Sequence, residues 1–367
     1  MRILSVLASP AAGGAEMLVR NLSAEFVRQG HEARVLFMSD AAGVGNPANF
    51  ERGYLAELTG SGSSYDIMEP GCFGNPIKAT RRLLRSVADF RPDLLHIHLA
   101  RALLARSLVR LEVPTVYTHH NVTTNFAPWL FRFFDRSVDH YVAIGDACQQ
   151  MLERHVQGPI AAIPNGAPTN FSHSGPRTKI GRDPFILAVG NLNPKKDYAI
   201  LVEAAAAVVR RLDGEGRRAR FAIAGEGPER ERIEKLIEAR GLADRFELLG
   251  ARSDVAELMA EADLLVNSSA HEGLPITLIE AAMSGLPAIV SDVGGNAEVV
   301  RDGSSGFVVP PGRPDMLAER IAQALSDEAL HRRFSEAAID HSRRFTIAAC
   351  ADAHIDLYET VLASRRR

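Results

Sequence analysis

Short apolar runs alternate with longer amphipathic stretches along most of this chain, and the alternation starts twice. Ile3–Leu7, Ala33–Met38, Leu94–Ile97, Thr115–Tyr117 and Tyr141–Ile144 read as buried strands. Helical periodicity fills most of the gaps, as in Glu16–Gln29. Runs that are apolar throughout suit strands covered on both faces, and the intervening helices supply the crossovers that parallel strands need. Ala161–Pro164 runs into the turn signal Asn165–Gly166. The polar stretch FSHSGPRTKIGRDP follows, and we place the domain boundary there.

The pattern then restarts. Phe185–Val189, Phe221–Ala224, Phe246–Leu249, Leu264–Asn267 and Ala288–Ser291 read as strands. Tyr198–Leu212, Glu229–Arg240, Val255–Ala260 and Pro275–Ser284 read as helices, and everything from Pro314 onward reads as helix. With 367 residues, the chain is too long for one ordinary core. The expected fold class is α/β: two doubly wound Rossmann-like domains, residues 1–172 and 173–345, facing a central cleft. Sheets of this kind bind ligands beyond the carboxyl ends of their strands.

Composition narrows the function classes. A formal net charge of −3, with acids and bases nearly balanced, gives no basic bias, so no nucleic-acid partner is expected. The three cysteines are scattered and form no CxxC pair, which suits a reducing cytosol rather than a disulfide framework or zinc site. The opening MRILSVLASP has too short an apolar run for a signal peptide and reads as a first strand.

The richest segment is HEGLPITLIEAAMSGLPAIVSDVGG, residues 271–295. Glu272 sits on a loop after a strand, and Glu280 follows inside a helix among Ile276, Ile279 and Met283. Helical side chains lean back toward the helix N-terminus, so both carboxylates are expected at one strand end. A carboxylate on an apolar face needs donors, and sugar hydroxyls would serve. A neighbouring arginine or backbone amides would serve equally. The helix start near Pro275 offers free amides to a phosphate. AGEGP at 224–228 is not a dinucleotide fingerprint.

These residues resemble the E-x7-E motif of glycosyltransferase family 4, the retaining GT-B enzymes, and the likeness extends over almost the whole chain. Gly13–Gly14–Ala15–Glu16 resembles the family's GGxE loop. PDLLHIH at 92–98 resembles its strand ending in histidines, IPNGAP at 163–168 its inter-domain turn, and AVGNLNPKKDY at 188–198 the loop opening its second domain. GFVVPPG at 306–312 also matches.

The resemblance implies a nucleotide-sugar donor as co-substrate, no cofactor and no metal, and a last helix, 346–367, crossing back to the first domain. It implies that Glu280 holds the ribose and that Glu272 contacts the donor sugar. Lys196 neutralises the diphosphate, joined by helix amides or by Lys195 where an arginine is missing, and Gly14 lets backbone approach the phosphates. Gly273, Leu274 and Pro275 join the donor site. His120, or His119 after a slip of one residue, touches the sugar near the reacting carbon. Where the family often has arginine beside the diphosphate, this chain has Asn191, which donates without charge. Of His96 and His98, only one is expected to line the cleft. His98 is assigned to the acceptor side. The implied function is retaining sugar transfer to an acceptor hydroxyl in cell-envelope or exported polysaccharide or glycolipid synthesis. The rivals are a nucleotide-sugar epimerase of the same build and a non-catalytic nucleotide-sugar-binding subunit.

One surface feature stands apart. In NPIKATRRLLRSVADF, Lys78, Arg81, Arg82 and Arg85 recur at helical spacing, with few acids nearby, and Ile77, Leu84, Val87 and Ala88 are expected to face the core. Such a stripe suits weak, reversible contact with an anionic membrane surface, where a lipid-linked sugar acceptor would be met. The expected location is cytoplasmic, on the inner face of the membrane.

Overall fold

The computed structural model describes residues 1–11, 13–42, 48–124, 126–172 and 175–365. Ala12, residues 173–174 of the expected linker and residues 366–367 of the expected last helix lie outside them. The chain divides into two compact units, Met1–Gly166 with Ile347–Arg367, and Ala167–Thr346.

The first unit holds β1 (Arg2–Leu7), β2 (Glu32–Phe37), β3 (Ser64–Ile67), β4 (Leu94–Ile97), β5 (Thr115–His119), β6 (His140–Ala143) and β7 (Ile160–Ala162). They form one parallel sheet in the order β3-β2-β1-β4-β5-β6-β7. The second holds β8 (Phe185–Val189), β9 (Arg220–Ala224), β10 (Phe246–Gly250), β11 (Leu264–Asn267), β12 (Ala288–Ser291) and β13 (Gly306–Val309), in the order β10-β9-β8-β11-β12-β13. Each sheet starts in the middle, grows to one side, then jumps back and grows to the other. The jump leaves β1 beside β4, with Ile3 opposite Leu94, and β8 beside β11, with Ile186 opposite Leu264. Loops leaving these two central strands turn to opposite faces of the sheet, which opens a crevice at their carboxyl ends.

The central strands are buried because helices cover both faces. In the second unit, the Ala-rich helix Tyr198–Gly214 buries Leu201, Val202 and Ala205 in a core that also contains Phe221, Ile289 and Ile321. Two strands escape the sequence reading, β3 and β13, and both are edge strands. Ser64 and Asp66 break the apolar run in β3, while β13 is four residues long and runs into Pro310–Pro311.

The boundary at 172 falls inside the second unit. Ala167 N donates to Phe345 O at 2.9 Å, and Ser284 Oγ donates to Phe171 O at 3.0 Å, so residues just after Gly166 already belong to that unit. The last helix, Ile347–Arg365, packs on the first unit. There Gln29 Nε2 donates to Asp352 Oδ1 at 2.7 Å, Arg365 Nε to Asp139 Oδ1 at 2.8 Å, and Tyr358 is buried edge-on to Phe26. Among the described residues, no helix is long and apolar enough to cross a membrane.

Candidate functional site

In the second unit, the sequence-singled residues gather at the carboxyl ends of β8 and β11. Gly190 closes β8 with φ of 150°, and its carbonyl accepts from Tyr198 Oη at 3.0 Å. A Cβ on Gly225 would sit 1.9 Å from that same carbonyl, so the loop after β9 approaches as closely as glycine allows. The loop after β8 then makes a tight turn, Pro194–Lys196, started by Asn193, whose side chain accepts from Lys195 N. Ala270 N donates to Lys195 O at 2.8 Å, which ties this turn to the loop bearing Glu272.

That tie brings Lys196 and Glu272 together. Lys196 Nζ donates to Glu272 Oε1 at 2.6 Å, and the same oxygen accepts from Ser269 Oγ at 2.6 Å and Asn267 Nδ2 at 3.1 Å. Glu272 Oε2 accepts no hydrogen bond among the described residues. One carboxylate oxygen is thus locked by three donors, and the other accepts from none of the described residues. Lys195 and Asn191 are exposed and take no part in this cluster.

Gly294 explains why the second glycine pair stands where it does. Its φ is 53°, and a Cβ there would lie 2.1 Å from Glu272 O. Gly295 N donates to Gly273 O at 2.6 Å. Gly273 is half-buried, and Leu274 and Pro275 are buried. Pro275 stands just before the helix Ile276–Met283 with extended backbone, φ −71° and ψ 121°, rather than inside its first turn. Glu280 lies within this helix, 8% exposed, on a segment buried at nearly every position.

In the first unit, the candidate residues lie beyond β1, β4 and β5. Gly13 precedes the helix Gly14–Arg28, and Gly14 is exposed. The carboxyl of Glu16 folds back so far that a Cβ on Gly13 would meet its Oε2 at 2.1 Å. Burial raises this carboxyl to about 7, opposed by a hydrogen bond from its own backbone amide. The sequence reading noted Glu16 only as part of a motif and missed this titration, since nothing in the residue order shows that the side chain turns inward.

Residues two apart on a strand face the same way. The expectation that only one of His96 and His98 would join the site is therefore corrected: both rings lie on one side, with centroids 3.9 Å apart. His98 Nδ1 stands 3.0 Å from His120 Nε2, and His96 Nε2 stands 2.7 Å from Thr118 Oγ1. His119 points to the other face, where its Nδ1 meets Tyr117 Oη at 3.1 Å and its ring packs against Phe131. His120, not His119, belongs to the β4 histidine layer. Burial pushes His120 down to about 3 and His354 to about 4, and holds His96 and His98 well below the ordinary histidine range, so these rings are neutral near pH 7.

The basic stripe is largely paired, contrary to the expectation of few neighbouring acids. Arg82 bonds Asp66 at 2.5 Å, Glu69 lies 3.8 Å from both Arg82 and Arg85, and Lys78 Nζ donates to Pro70 O. The buried face of that helix is Ala79, Leu83, Ser86 and Phe90, whereas Ile77, expected in the core, is 61% exposed. The aromatic segment at 126–134 forms only a short helix, Leu130–Phe134. It buries Phe131 and Phe134 and leaves Trp129 68% exposed.

Comparison with known proteins agrees with this fold. Residues 12–171 match the Glycosyltransferase Family 4 model, and residues 173–341 match the model for glycosyl transferases group 1. The chain is 29% identical over 285 residues to an alpha-D-kanosaminyltransferase of Streptomyces kanamyceticus, spanning 74% of this chain and 71% of that one. It is 27% identical over 303 residues to the phosphatidyl-myo-inositol mannosyltransferase of Mycobacterium leprae, spanning 77% of each. Its fold is similar to that of Anabaena HepE, solved in complex with UDP and glucose, with a TM-score of 0.82 at 21% identity over 98% of this chain and all of that one. Sucrose-phosphate synthase from Thermosynechococcus elongatus gives a TM-score of 0.82 at 19% identity, covering 99% of this chain and all of that one. Two parallel sheets of one strand order, two matching family models and these relatives together make the chain a GT-B glycosyltransferase of the family 4 kind.

Proposed function

We propose that the protein transfers a sugar, with retention at the anomeric carbon, from a nucleotide-sugar donor to an acceptor hydroxyl, without a metal ion. The observation that carries this reading is the half-committed carboxylate of Glu272, with Lys196 held against it at 2.6 Å. On this reading Lys196 leaves Glu272 to meet the donor diphosphate, and its charge stabilises the leaving group as the glycosidic bond breaks. Ser269 and Asn267 keep Glu272 in place when Lys196 turns away, so its free oxygen accepts from sugar hydroxyls.

Glu280 accepts from the ribose hydroxyls. The Gly273 and Leu274 amides before the helix Ile276–Met283 add a positive field for phosphate, and Gly14 does the same at the start of its own helix. Asn191 adds an uncharged donor, and His120 touches the sugar near the reacting carbon. The donor's own phosphate takes the acceptor proton, so no enzymic nucleophile is required.

Thermal-shift measurement against UDP-, GDP- and ADP-sugars tests the reading, because a ligand that binds only the folded state raises apparent stability. UDP-glucose leads the panel because the similar HepE fold is solved with UDP. No shift with any of them would sink the donor assignment. Activity surviving EDTA supports the metal-free chemistry, and loss restored by magnesium or manganese rejects it.

The acceptor is a sugar or lipid-linked sugar in cell-envelope or exported-polysaccharide synthesis, met by a cytoplasmic enzyme at the membrane face. Exposed Ile77 beside Lys78 and Arg81 favours that peripheral contact. Cosedimentation with phosphatidylserine vesicles at low and high salt decides it.

A further inference from the structure

Two hydrogen-bonded sets of side chains meet in the first unit, Tyr358–His96–Thr118 and His98–His120, joined by the packing of the His96 ring on that of His98. Each imidazole is neutral, so each carries one proton and can donate from one nitrogen only. That limit lets the proton be traced from the last helix inward.

Tyr358 Oη lies 2.6 Å from His96 Nδ1 in a fully buried setting, and burial raises its pKa well above the ordinary value, so it keeps its proton. No other hydroxyl acceptor stands near it among the described residues, so the phenol donates to Nδ1. The His96 proton is then on Nε2, facing Thr118 Oγ1 at 2.7 Å. Both nitrogens of His96 are held, and its ring braces His98 at 3.9 Å.

His98 is 6% exposed, and its Nε2 has no protein partner among the described residues. A buried N–H without an acceptor is rarer and costlier than a buried acceptor without a donor. The His98 proton therefore belongs on Nδ1, which faces His120 Nε2 at 3.0 Å. Accepting there leaves His120 one place for its own proton, Nδ1. That atom makes no hydrogen bond among the described residues, and the residue is half-buried.

We infer that His98 fixes the proton of His120 on Nδ1, so that His120 meets its ligand as a hydrogen-bond donor, and that Tyr358 of the last helix holds this arrangement through His96. His98 is thus a positioning residue rather than an acceptor-side contact. A donor at His120 suits an oxygen of the donor sugar. That last step rests on the proposed contact of His120 with the sugar, whereas the tautomer does not.

Nitrogen NMR of the intact protein carrying 15N-histidine reads both ring nitrogens of each histidine directly. The expected spectrum has His120 protonated at Nδ1 and bare at Nε2. His98→Phe, which keeps a flat ring but removes the donor, moves that proton to Nε2. His98→Asn, whose amide N–H falls near the position of Nδ1, retains the wild-type tautomer. Tyr358→Phe frees the His96 proton to either nitrogen and loosens the packing of its ring on His98, which shifts or broadens the His98 and His120 signals. A wild-type His120 protonated at Nε2, or a His98→Phe spectrum identical to wild type, overturns the inference. A Tyr358→Phe spectrum identical to wild type removes the last helix from it. Adding UDP-glucose, GDP-mannose and ADP-glucose in turn separates this from the functional reading. A sugar nucleotide that raises thermal stability but leaves the His120 signals unmoved rejects the sugar contact and leaves the tautomer standing.

Discussion

The two units share one sheet plan and solve the same problem with different chemistry. Both place polar side chains at the carboxyl ends of adjacent central strands, where chain reversal opens a crevice. In the second unit, the device is an ion pair, Lys196 to Glu272, steadied by Ser269 and Asn267. In the first, it is a stack of neutral imidazoles, His96, His98 and His120, clamped by Tyr358. A charge pair answers to ligand charge, because an anion reaching it would compete with Glu272 for Lys196. A neutral layer answers to pH, because one added proton leaves a buried charge facing other rings. Strand order therefore sets where chemistry is placed, and side chains set what it responds to.

The largest test falls on the second unit. Lys196→Ala is expected to lower turnover of the donor by about a hundredfold, as loss of one preorganised stabilising group commonly does. It should weaken nucleoside binding much less. A larger effect from Lys195→Ala would mean that the exposed neighbour, not the paired lysine, meets the diphosphate. Glu280→Gln comes next. It replaces an anionic acceptor by a neutral amide, and hydrogen bonds to charged groups contribute about 1.5–3 kcal/mol. Nucleotide affinity measured by calorimetry should fall tenfold or more, and an unchanged dissociation constant removes Glu280 from the ribose site.

Acid should weigh more on the first unit than on the second. Burial lowers the pKa of the separate His331 and His341 in the second, whereas His96, His98, His120 and His354 sit together in the first. The unfolded chain takes up protons on these imidazoles near pH 6.5, while His354 and His120 do so near 4 and 3 in the folded state. The unfolded state therefore binds more protons between those values. Stability present above pH 6.5 is lost as pH falls toward 4, on the order of 1 kcal/mol per imidazole between pH 7 and 5. Hydrogen exchange, normalised to intrinsic rates, should show the β4 and β5 segments losing protection before β8 and β11. The reverse order would break the contrast.

The smallest effect concerns Glu16, whose sign is opposite. Its folded carboxyl titrates near 7, so the folded state binds the extra proton between about 4.5 and 7. Stability from this group is present below that window and lost as pH rises through it. A rise from 4.5 to about 7 corresponds to about 3 kcal/mol if fully retained, and Glu16 is only half-buried, so about 1 kcal/mol or more is expected: Glu16→Gln should raise Tm at pH 8 by at least about 2–4 °C in a domain of this size. It should do nothing at pH 4. No rise at either pH would mean that the carboxyl is solvated, and an equal rise at both would mean that the gain does not come from its titration.

Much of this was legible in the order of residues. β4, β8, β11 and β12 were read to the residue, since unbroken apolar runs between helical periods admit few alternatives. β3 was not, because Ser64 and Asp66 interrupt its apolar run, and β13 was not, because its four residues run straight into Pro310–Pro311. The charged cluster was half legible. Glu272 and Lys196 stood out as motif residues, but Ser269 and Asn267 as their anchors did not, because a loop's path decides which side chains converge. Ile77 was misplaced for a related reason: a helix with apolar residues on several sides does not state which side meets the sheet.

Periodicity depends on neighbours in the chain, so sequence alone determined the strands, the helices and the two-part α/β plan. Proton placement and pairing depend on neighbours in space. His96 and Tyr358 are separated by most of the chain, yet they share one hydrogen bond of 2.6 Å. Glu69, outside the helix that carries Arg82 and Arg85, lies 3.8 Å from both. Burial, and the limit of one proton per neutral imidazole, turn such meetings into function. Those meetings exist only once the sheets have formed and the last helix has packed on the first unit.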